Sequence, residues 1–220
     1  MANRNGIPAK VTIESARQWV KPRVTEKRFK HIAGVAQVAR ELAEAADCDV
    51  FIAELAGWLH DACKEFKDKK LVAHAREFGM VLHPIEETNG HLLHGPVAAL
   101  VARDELGITN KVLLNAVAEH TLGALNMTPM SQILFLADCL ECSRSDDFTV
   151  PIWRSLGYDV AEGAPQKRKL KRKLDLEAGM LTACDLSLGY LLADGKSIHP
   201  KTVDVRNFFL QKLKERSKTP

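Results

Sequence analysis

Apolar residues recur at steps of three and four positions along most of the chain, which is the spacing of one face of an α-helix. The clearest example is a single apolar stripe between residues 26 and 46. Its members are Ile32, Val35, Ala36, Ala39, Leu42, Ala43 and Ala46. No segment alternates convincingly with the period of two that is typical of a half-buried strand. The pattern therefore predicts an all-α protein.

Capping residues divide the pattern into separate helices. Thr25 is the expected N-cap of the long helix, and Asp49 is the expected N-cap of a second helix over residues 49–62. Helices that follow along the chain are expected to begin at Asp68, Pro96, Thr109, Thr128, about Leu174 and Thr202. In the helix that begins at Thr109, we expect Val112, Leu113, Ala116 and Val117 to face inward.

Residues 143–173 interrupt the helical pattern. They mix glycine, proline and charge, and six of the seven residues 167–173 are lysine or arginine. We predict a loop here, whose basic run is either the solvated start of a helix or a patch for RNA or another polyanion. The predicted organisation is an N-terminal extension (1–24), a core (25–142), a basic loop or insertion (143–173) and C-terminal helices that complete the domain (174–220).

Composition narrows the class of protein without naming a function. The chain has 220 residues, of which 46% are hydrophobic and 27% charged, as expected for one large globular domain. The net charge of +3 does not by itself indicate nucleic-acid binding. A polar start and the lack of 18 consecutive apolar residues predict neither a secretory signal nor a membrane span. Five irregularly spaced cysteines favour a reducing, cytoplasmic compartment.

Two carboxylates stand where the pattern predicts a core. Asp61 follows His60 at the end of an apolar run, and Asp138 lies within "ILFLADCL". Burying a carboxylate is costly unless it is paired or bound to a cation. Histidines stand on or beside other apolar helix faces, namely His31, His94 and His120.

These six residues together favour a metal site. Taken singly, each fits a structural role equally well, because a core histidine often bonds to a carbonyl and an aspartate to an arginine. Imidazoles and carboxylates from converging helices are suitable ligands for iron, manganese, cobalt or zinc. The chain contains neither common nucleotide-binding loop, GxxxxGK[ST] or GxGxxG, so phosphate binding would depend on a metal, histidines, lysines and arginines.

The order of these segments resembles the HD superfamily of metal-dependent phosphohydrolases and, more closely, the bacterial YqeK family. The resemblance covers about residues 25–210. It rests on "RFKHIAGVAQVARELA", "AGWLHDACKEF", "LLHGPVAALVARDELGI", "AVAEHTLG", "ILFLADCLE" and "GKSIHPKTVDVRN". Members of that family are symmetrical bis(5′-nucleosyl)-tetraphosphatases, which split diadenosine tetraphosphate into two ADP. The resemblance implies a single HD-domain helical bundle with a C-terminal helical extension.

The resemblance also implies residue roles. The implied metal ligands are His31, His60, Asp61 and Asp138. The implied catalytic residues are Asp61, Lys64, His94 and His120. The implied phosphate contacts are Arg28, Lys64, His94, His120, Thr121 through its hydroxyl, Gly123 through an exposed backbone N–H, and Arg206. Iron is the implied metal, with manganese, cobalt or zinc as alternatives, and the number of ions stays open.

Some positions depart from the family pattern. Glu119 stands where members often have tyrosine, Cys139 replaces an aromatic residue, and residues 143–173 are longer and more basic than usual. None of these changes removes an implied ligand. They leave the nucleoside pocket and the substrate preference open.

The expected reaction is attack by a metal-activated water on a phosphorus that flanks the central bridge of diadenosine tetraphosphate, with ADP as the product. One alternative is another HD enzyme, acting on deoxynucleotides, cyclic nucleotides or guanosine polyphosphates. The other is a non-catalytic nucleotide- or RNA-binding protein that docks residues 167–173 on RNA or a ribosome-associated partner. Apolar residues of the tail leave room for a homodimer contact, namely Phe208, Phe209, Leu210 and Leu213.

Overall fold

Eleven α-helices account for most of the regular structure in residues 5–161 and 164–218, the part of the chain that this computed structural model describes. The helices are α1 (Ile13–Val20), α2 (Glu26–Ala45), α3 (Val50–Leu59), α4 (Asp68–Glu77), α5 (Pro84–Thr88), α6 (His94–Leu106), α7 (Lys111–Glu119), α8 (Pro129–Leu140), α9 (Asp146–Ser155), α10 (Leu176–Ala193) and α11 (Pro200–Arg216). Two short 3₁₀ turns occupy Lys21–Arg23 and Gly90–Leu93. The predicted helical class is confirmed, with one small antiparallel sheet as the exception.

Three predicted helix starts are confirmed by their capping hydrogen bonds. The Thr25 hydroxyl accepts the backbone N–H of Arg28, and the Asp49 carboxylate accepts two N–H groups in the first turn of α3. Thr128 accepts the N–H of Ser131 at the start of α8. Each cap satisfies a backbone donor that has no partner inside the helix.

Other predicted boundaries are shifted. Asp68 is the first residue of α4 instead of its cap, and α6 begins at His94 because a 3₁₀ turn leads directly into it. Asn110, not Thr109, caps α7. Val112 is 42% exposed, so its predicted inward orientation is wrong, since the buried face of α7 passes through Leu113 and its neighbours one turn on.

The predicted loop at 143–173 is also wrong. It contains α9 and a hairpin of β1 (Tyr158–Ala161) and β2 (Ala164–Leu170), in which Tyr158 lies opposite Leu170. Pro151 lies inside α9 and obscured it in the sequence. Strand β1 does alternate between buried and exposed positions, but over four residues, which is too short to recognise from the pattern.

The first part of the basic run, 167–170, lies on β2, and 171–173 follow that strand without forming a helix start. Its Arg168 forms an ion pair with Glu41 of α2, and its guanidinium carbon lies 3.8 Å from the centre of the Trp153 ring. Lys171 lies 3.7 Å from the carboxylate of Asp159. The first two contacts join the hairpin to α2 and α9.

A close approach of helices α2 and α3 positions two of the predicted ligands. A Cβ at Gly57 of α3 would lie 2.5 Å from the Cα of Ala36 in α2, so the two backbones touch at this point. His60 follows Gly57 at the end of α3, and His31 precedes Ala36 on α2. The contact therefore sets the distance between the two histidines.

Helix α10 is, within the described residues, the one helix whose length and composition would allow it to cross a membrane, with a mean hydropathy of 1.2. It packs against α8, α9 and α11. Its acidic residues are paired, Glu177 with Lys212 and Asp185 with Arg206. These contacts make α10 a part of the fold, although only 22% of its apolar window is buried.

A first prediction concerns the contact between α2 and α3. Gly57→Ala should lower the free energy of unfolding by about 1–3 kcal/mol, because the added methyl group cannot fit against Ala36. The matched control is Gly189→Ala in α10, where an added Cβ meets nothing within 4 Å. There the change should stabilise by about 0.5–1 kcal/mol. Urea unfolding followed by circular dichroism measures the change in the free energy of unfolding for both variants. Equal changes would contradict the close contact of α2 and α3 at Gly57.

Candidate metal and phosphate site

The six histidine and aspartate side chains that the sequence indicated as a metal site converge in one place. Five helices contribute, with His31 from α2, the pair His60 and Asp61 from the end of α3, His94 from the start of α6, His120 from the end of α7 and Asp138 from α8. His60, Asp61, His94 and His120 are buried. Since the helices bring these groups together from distant points in the chain, tertiary packing assembles the site.

Asp61 lies at the centre of the cluster. Its Oδ2 is 3.8 Å from Nε2 of His31 and 3.5 Å from Nε2 of His60. Its Oδ1 is 3.2 Å from Nε2 of His94 and 3.6 Å from Nε2 of His120. The two carboxylate oxygens therefore face two different sets of histidines.

Three histidines are oriented by their own helix ends. Nδ1 of His60, His94 and His120 donates to the carbonyl three residues earlier, over 2.6, 2.6 and 2.8 Å. A neutral imidazole with its proton on Nδ1 carries a lone pair on Nε2. Gly95 makes room for one ring, since a Cβ there would lie 3.0 Å from the His120 imidazole. All three Nε2 atoms therefore present lone pairs toward Asp61.

This arrangement places acceptors against acceptors. Nε2 of His94 lies 3.0 Å from Nε2 of His120, and burial lowers the pKa of His94 to about 4. Burial likewise lowers the pKa of His60 to about 4. The rings of His60 and His94 are therefore neutral at pH 7. In addition, Nε2 of His60 and Oδ1 of Asp61 are buried without a hydrogen bond.

A divalent cation would satisfy these atoms. Zinc-type ligand bonds of about 2.0–2.2 Å place neighbouring ligand atoms roughly 3 Å apart, close to the separations in this cluster. Two overlapping groups fit an ion, the first made of His31, His60 and Asp61 and the second of Asp61, His94 and His120. Asp138 adjoins the first group, with Oδ1 3.1 Å from Nε2 of His31. The donor set is therefore suitable for one or two cations.

Glu141, which holds His31, was not predicted from the sequence as part of the site. Its Oε2 lies 3.0 Å from Nδ1 of His31, and the residue is 2% exposed. Ser143 and Cys142 also donate to this carboxylate. A Cβ at Gly34, one turn after His31, would lie 2.7 Å from Oε1 of Glu141, so a glycine is needed there. Carboxylates that bind the outer nitrogen of a metal-binding histidine fix its orientation and raise its basicity.

His31 is the one histidine of the cluster in which each ring nitrogen lies within hydrogen-bond distance of a carboxylate, with Nδ1 beside Glu141 and Nε2 beside Asp138. Burial lowers its pKa, but hydrogen bonds to Asp138 and Glu141 outweigh burial and raise the pKa to about 9. Burial would raise the pKa of Asp138, yet hydrogen bonding to His31 holds it below its usual range. Without a metal, His31 is therefore protonated at pH 7.

Besides His94 and His120, three of the predicted phosphate contacts lie at the cluster. Nζ of Lys64 and the hydroxyl of Thr121 are each 3.1 Å from Nε2 of His94. Nη1 of Arg28 donates to Oδ2 of Asp61 over 2.9 Å. Burial lowers the pKa of Lys64. These donors are placed to meet an anion that approaches the cluster.

Two other predicted phosphate contacts do not have the expected surroundings. The N–H of Gly123 donates to the carbonyl of Glu119 over 2.8 Å, so the prediction of an exposed N–H there is wrong. Gly123 is needed for its backbone, at φ +70°, and for its contact with Val205. Arg206 donates to Asp185 of α10 over 2.7 Å, so its guanidinium group is paired with a carboxylate.

The cluster opens into a cationic cavity of about 660 Å³. Lys27, Arg28, Lys30 and Arg144 line it together with His31. Arg144 was not predicted from the sequence as a site residue. Its Nη2 lies 3.1 Å from Oδ1 of Asp138, and its Nε donates to the Asp138 carbonyl. A cavity with this lining suits a polyphosphate chain, because guanidinium groups bind phosphate oxygens in pairs.

Comparison with known proteins agrees with this geometry. The family model described as HD domain matches residues 28–142. The chain belongs to the HD-domain family. Membership implies dependence on a divalent metal, which the histidine–aspartate cluster fits.

Relatives of known name narrow the family further. The chain is 30% identical to a symmetrical bis(5′-nucleosyl)-tetraphosphatase of Staphylococcus aureus, over 90% of this chain and 95% of that protein. It is 31% identical to a protein of the same name from Halalkalibacterium halodurans, over 90% and 97%. The chain belongs to this tetraphosphatase branch of the HD family.

A solved structure shares the fold. The crystal structure of a predicted HD superfamily hydrolase involved in NAD metabolism, from Clostridium acetobutylicum, matches with a TM-score of 0.79 and 25% identity. The match covers 92% of this chain and 98% of that one. The helical arrangement around the cluster is therefore common to both proteins.

A second prediction concerns protons. Because the pKa of His31 is raised to about 9, a cation that binds its Nε2 near pH 6 must displace about one proton. The apparent metal affinity should rise about tenfold for each pH unit from pH 6 to pH 8. His60 and His94, with pKa values of about 4, should contribute nothing in this range. Calorimetry in buffers of different ionisation enthalpy measures the release, and binding without it would exclude His31 as a ligand.

A third prediction concerns Glu141. Glu141→Gln should lower metal affinity by about ten- to a hundredfold, because His31 loses the carboxylate that orients it. The measurement belongs at alkaline pH, where protons compete weakly for His31. Glu87→Gln, at a surface pair with Arg76, is the control and should leave the affinity unchanged. Equal affinities in the two variants would show that Glu141 does not support the metal.

Proposed function

We propose that this protein hydrolyses diadenosine tetraphosphate symmetrically to two ADP. The observation that carries the proposal is the buried set of nitrogen and oxygen lone pairs around Asp61, which opens into a cationic cavity. Membership in the tetraphosphatase branch supplies the substrate class, a dinucleoside polyphosphate with ADP as product. A polyanion with a tetraphosphate bridge is the kind of ligand that such a cavity would attract.

For the metal, we propose His31, His60, Asp61 and Asp138 as the ligands of one cation. His94 and His120 would hold a second cation through the other oxygen of Asp61, which lies 3.2 and 3.6 Å from their Nε2 atoms. We propose iron, with manganese, cobalt or zinc as alternatives, since mixed nitrogen and oxygen sites accept all four. Each cation would offset the burial of the carboxylates.

A bound cation would supply an acidified water molecule and neutralise charge on phosphate oxygens. In the symmetrical reaction, water attacks a phosphorus atom next to the central bridging oxygen and the bond to that oxygen breaks. One ADP leaves, and the oxygen of water stays on the other. Arg28, Lys64 and Thr121 are placed to hold phosphoryl oxygens as their negative charge grows.

Lys64 would change partners during binding. Its ammonium group now donates to His94, whose Nε2 accepts because Nδ1 donates to the His91 carbonyl. His94 would offer that lone pair to a cation. The half-buried Lys64 ammonium group is placed to donate to a phosphate oxygen of the substrate in place of His94.

The remaining parts of the predicted architecture stay proposals. We propose a core at 25–142, completed by the C-terminal helices, of which α10 packs on α8. The fold indicates a soluble protein, and its five free cysteines accord with the proposed cytoplasmic location. A homodimer and the RNA contact through 167–173 also stay predictions, and Arg168 of that run already binds Glu41 and Trp153.

The test is a product assay with metal-loaded protein. Diadenosine tetraphosphate should give ADP alone, and a mixture of AMP and ATP would contradict the symmetrical cut. Lys64→Met should lower kcat by about a hundred- to a thousandfold, because a half-buried donor to the transition state is lost. Lys111→Met, at the exposed start of α7 and outside the lining of the cationic cavity, is the control and should retain kcat.

Asp61→Asn tests the metal site independently of which substrate the enzyme prefers. The variant should keep its helical circular dichroism and lose both bound metal and activity. A panel of deoxynucleotides, cyclic nucleotides and guanosine polyphosphates covers the alternative HD reactions. Turnover of one of these in preference to diadenosine tetraphosphate would replace the proposed substrate while leaving the metal site in place.

A further inference from the structure

A second cavity adjoins the cationic one and has a different lining. It measures about 490 Å³ and shares Ser143 and Arg144 with the first cavity. We call it the aromatic cavity, and its further lining residues are Ser145, Phe148, Ser187, Tyr190, Leu191 and Asp194. Its volume lies in the range of about 300–1,000 Å³ that is common for small-ligand sites.

Two aromatic rings form one side of the aromatic cavity. The ring centroids of Phe148 and Tyr190 lie 5.6 Å apart at an interplanar angle of 59°. Phe148 is 9% exposed and belongs to the core, whereas Tyr190 is 50% exposed. Burial in the core therefore accounts for Phe148 and leaves half of Tyr190 available to a ligand.

Arg144 connects the aromatic cavity to the metal site. It lines both cavities, and its Nη2 lies 3.1 Å from Oδ1 of Asp138, which in turn lies 3.1 Å from Nε2 of His31. A ligand that places phosphate near Arg144 can therefore extend into the aromatic cavity. Apart from Ser143 and Arg144, which also line the first cavity, its polar groups are the hydroxyls of Ser145, Ser187 and Tyr190 and the carboxylate of Asp194.

We propose that the aromatic cavity binds the nucleoside of one half of the substrate. The base would stack on Tyr190, and Asp194 would accept hydrogen bonds from ribose hydroxyls. This inference rests on the proposed function, because a symmetrical dinucleoside polyphosphate carries a base at each end of its phosphate chain. Stacking on an aromatic side chain does not depend on the identity of the base, so it contributes to the affinity for any purine nucleoside.

The position of the cavity favours a nucleoside over a second copy of this chain. It is concave, it adjoins a cationic cavity, and Arg144 stands at the junction. The exposed apolar side chain of Leu192 lies on the same helix but does not line the cavity. This gives a matched control, since self-association through α10 would use Leu192 as well as Tyr190.

The experiment compares Tyr190→Ala, Tyr190→Phe and Leu192→Ala in the metal-loaded enzyme. Tyr190→Ala should raise KM for diadenosine tetraphosphate by about 5- to 150-fold, as expected for loss of one stacked base. Tyr190→Phe and Leu192→Ala should keep KM close to that of the unaltered enzyme. Inorganic tripolyphosphate, as a competitive inhibitor, should bind all four proteins equally, because it needs only the cationic cavity.

Three results would overturn the proposal. They are an unchanged KM in Tyr190→Ala, an equal loss of tripolyphosphate binding in that variant, and a change of oligomeric state in both Tyr190→Ala and Leu192→Ala. Direct binding of ADP by calorimetry keeps the cavity testable if the enzyme does not cleave diadenosine tetraphosphate. In that case weaker ADP binding by Tyr190→Ala supports the cavity although the proposed reaction has failed, and unchanged binding overturns it.

Discussion

Asp61 is a buried carboxylate whose Oδ2 accepts a hydrogen bond from Arg28, whereas its Oδ1 faces nitrogen lone pairs and therefore needs positive charge beside it. Its two oxygens lie between 3.2 and 3.8 Å from the Nε2 atoms of four histidines. In three of these, Nδ1 donates to the preceding turn of the chain, so the ring has no proton left for Asp61. At the ends of α3 and α7 and the start of α6, backbone carbonyls therefore take the Nδ1 protons of these histidines. The Nε2 lone pairs that remain form a site for cations.

The fourth histidine works differently and shows how α2 and α8 cooperate. His31 donates to the carboxylate of Glu141, and Gly34 leaves the space that this carboxylate fills. Its partner Asp138 is in turn held by Arg144, which reaches the neighbouring aromatic cavity. One continuous chain of polar contacts therefore runs from the metal cluster to the surface where we propose that a nucleoside binds.

The residues of the metal cluster could be predicted from the sequence, whereas the residues that hold them in place could not. The helical period located α2, and carboxylates in apolar surroundings pointed to Asp61 and Asp138, because burial of charge leaves a visible mark in the pattern. Glu141 could not be recognised in this way, because its role depends on contacts with His31 and Gly34, which lie more than a hundred residues earlier in the sequence. The hairpin β1–β2 was missed because a four-residue strand carries too little periodicity. Gly123 was misjudged because its N–H is engaged by Glu119, which only the fold reveals.

The central claim is that Asp61 and the surrounding imidazoles hold divalent cations. Anomalous diffraction from crystals of the metal-loaded protein, recorded above and below the absorption edge of the metal, tests it most directly. The account predicts a peak beside Oδ2 of Asp61, within bonding distance of His31 and His60, and a second peak beside Oδ1. No peak within bonding distance of Asp61, in protein that contains stoichiometric metal by elemental analysis, would contradict it.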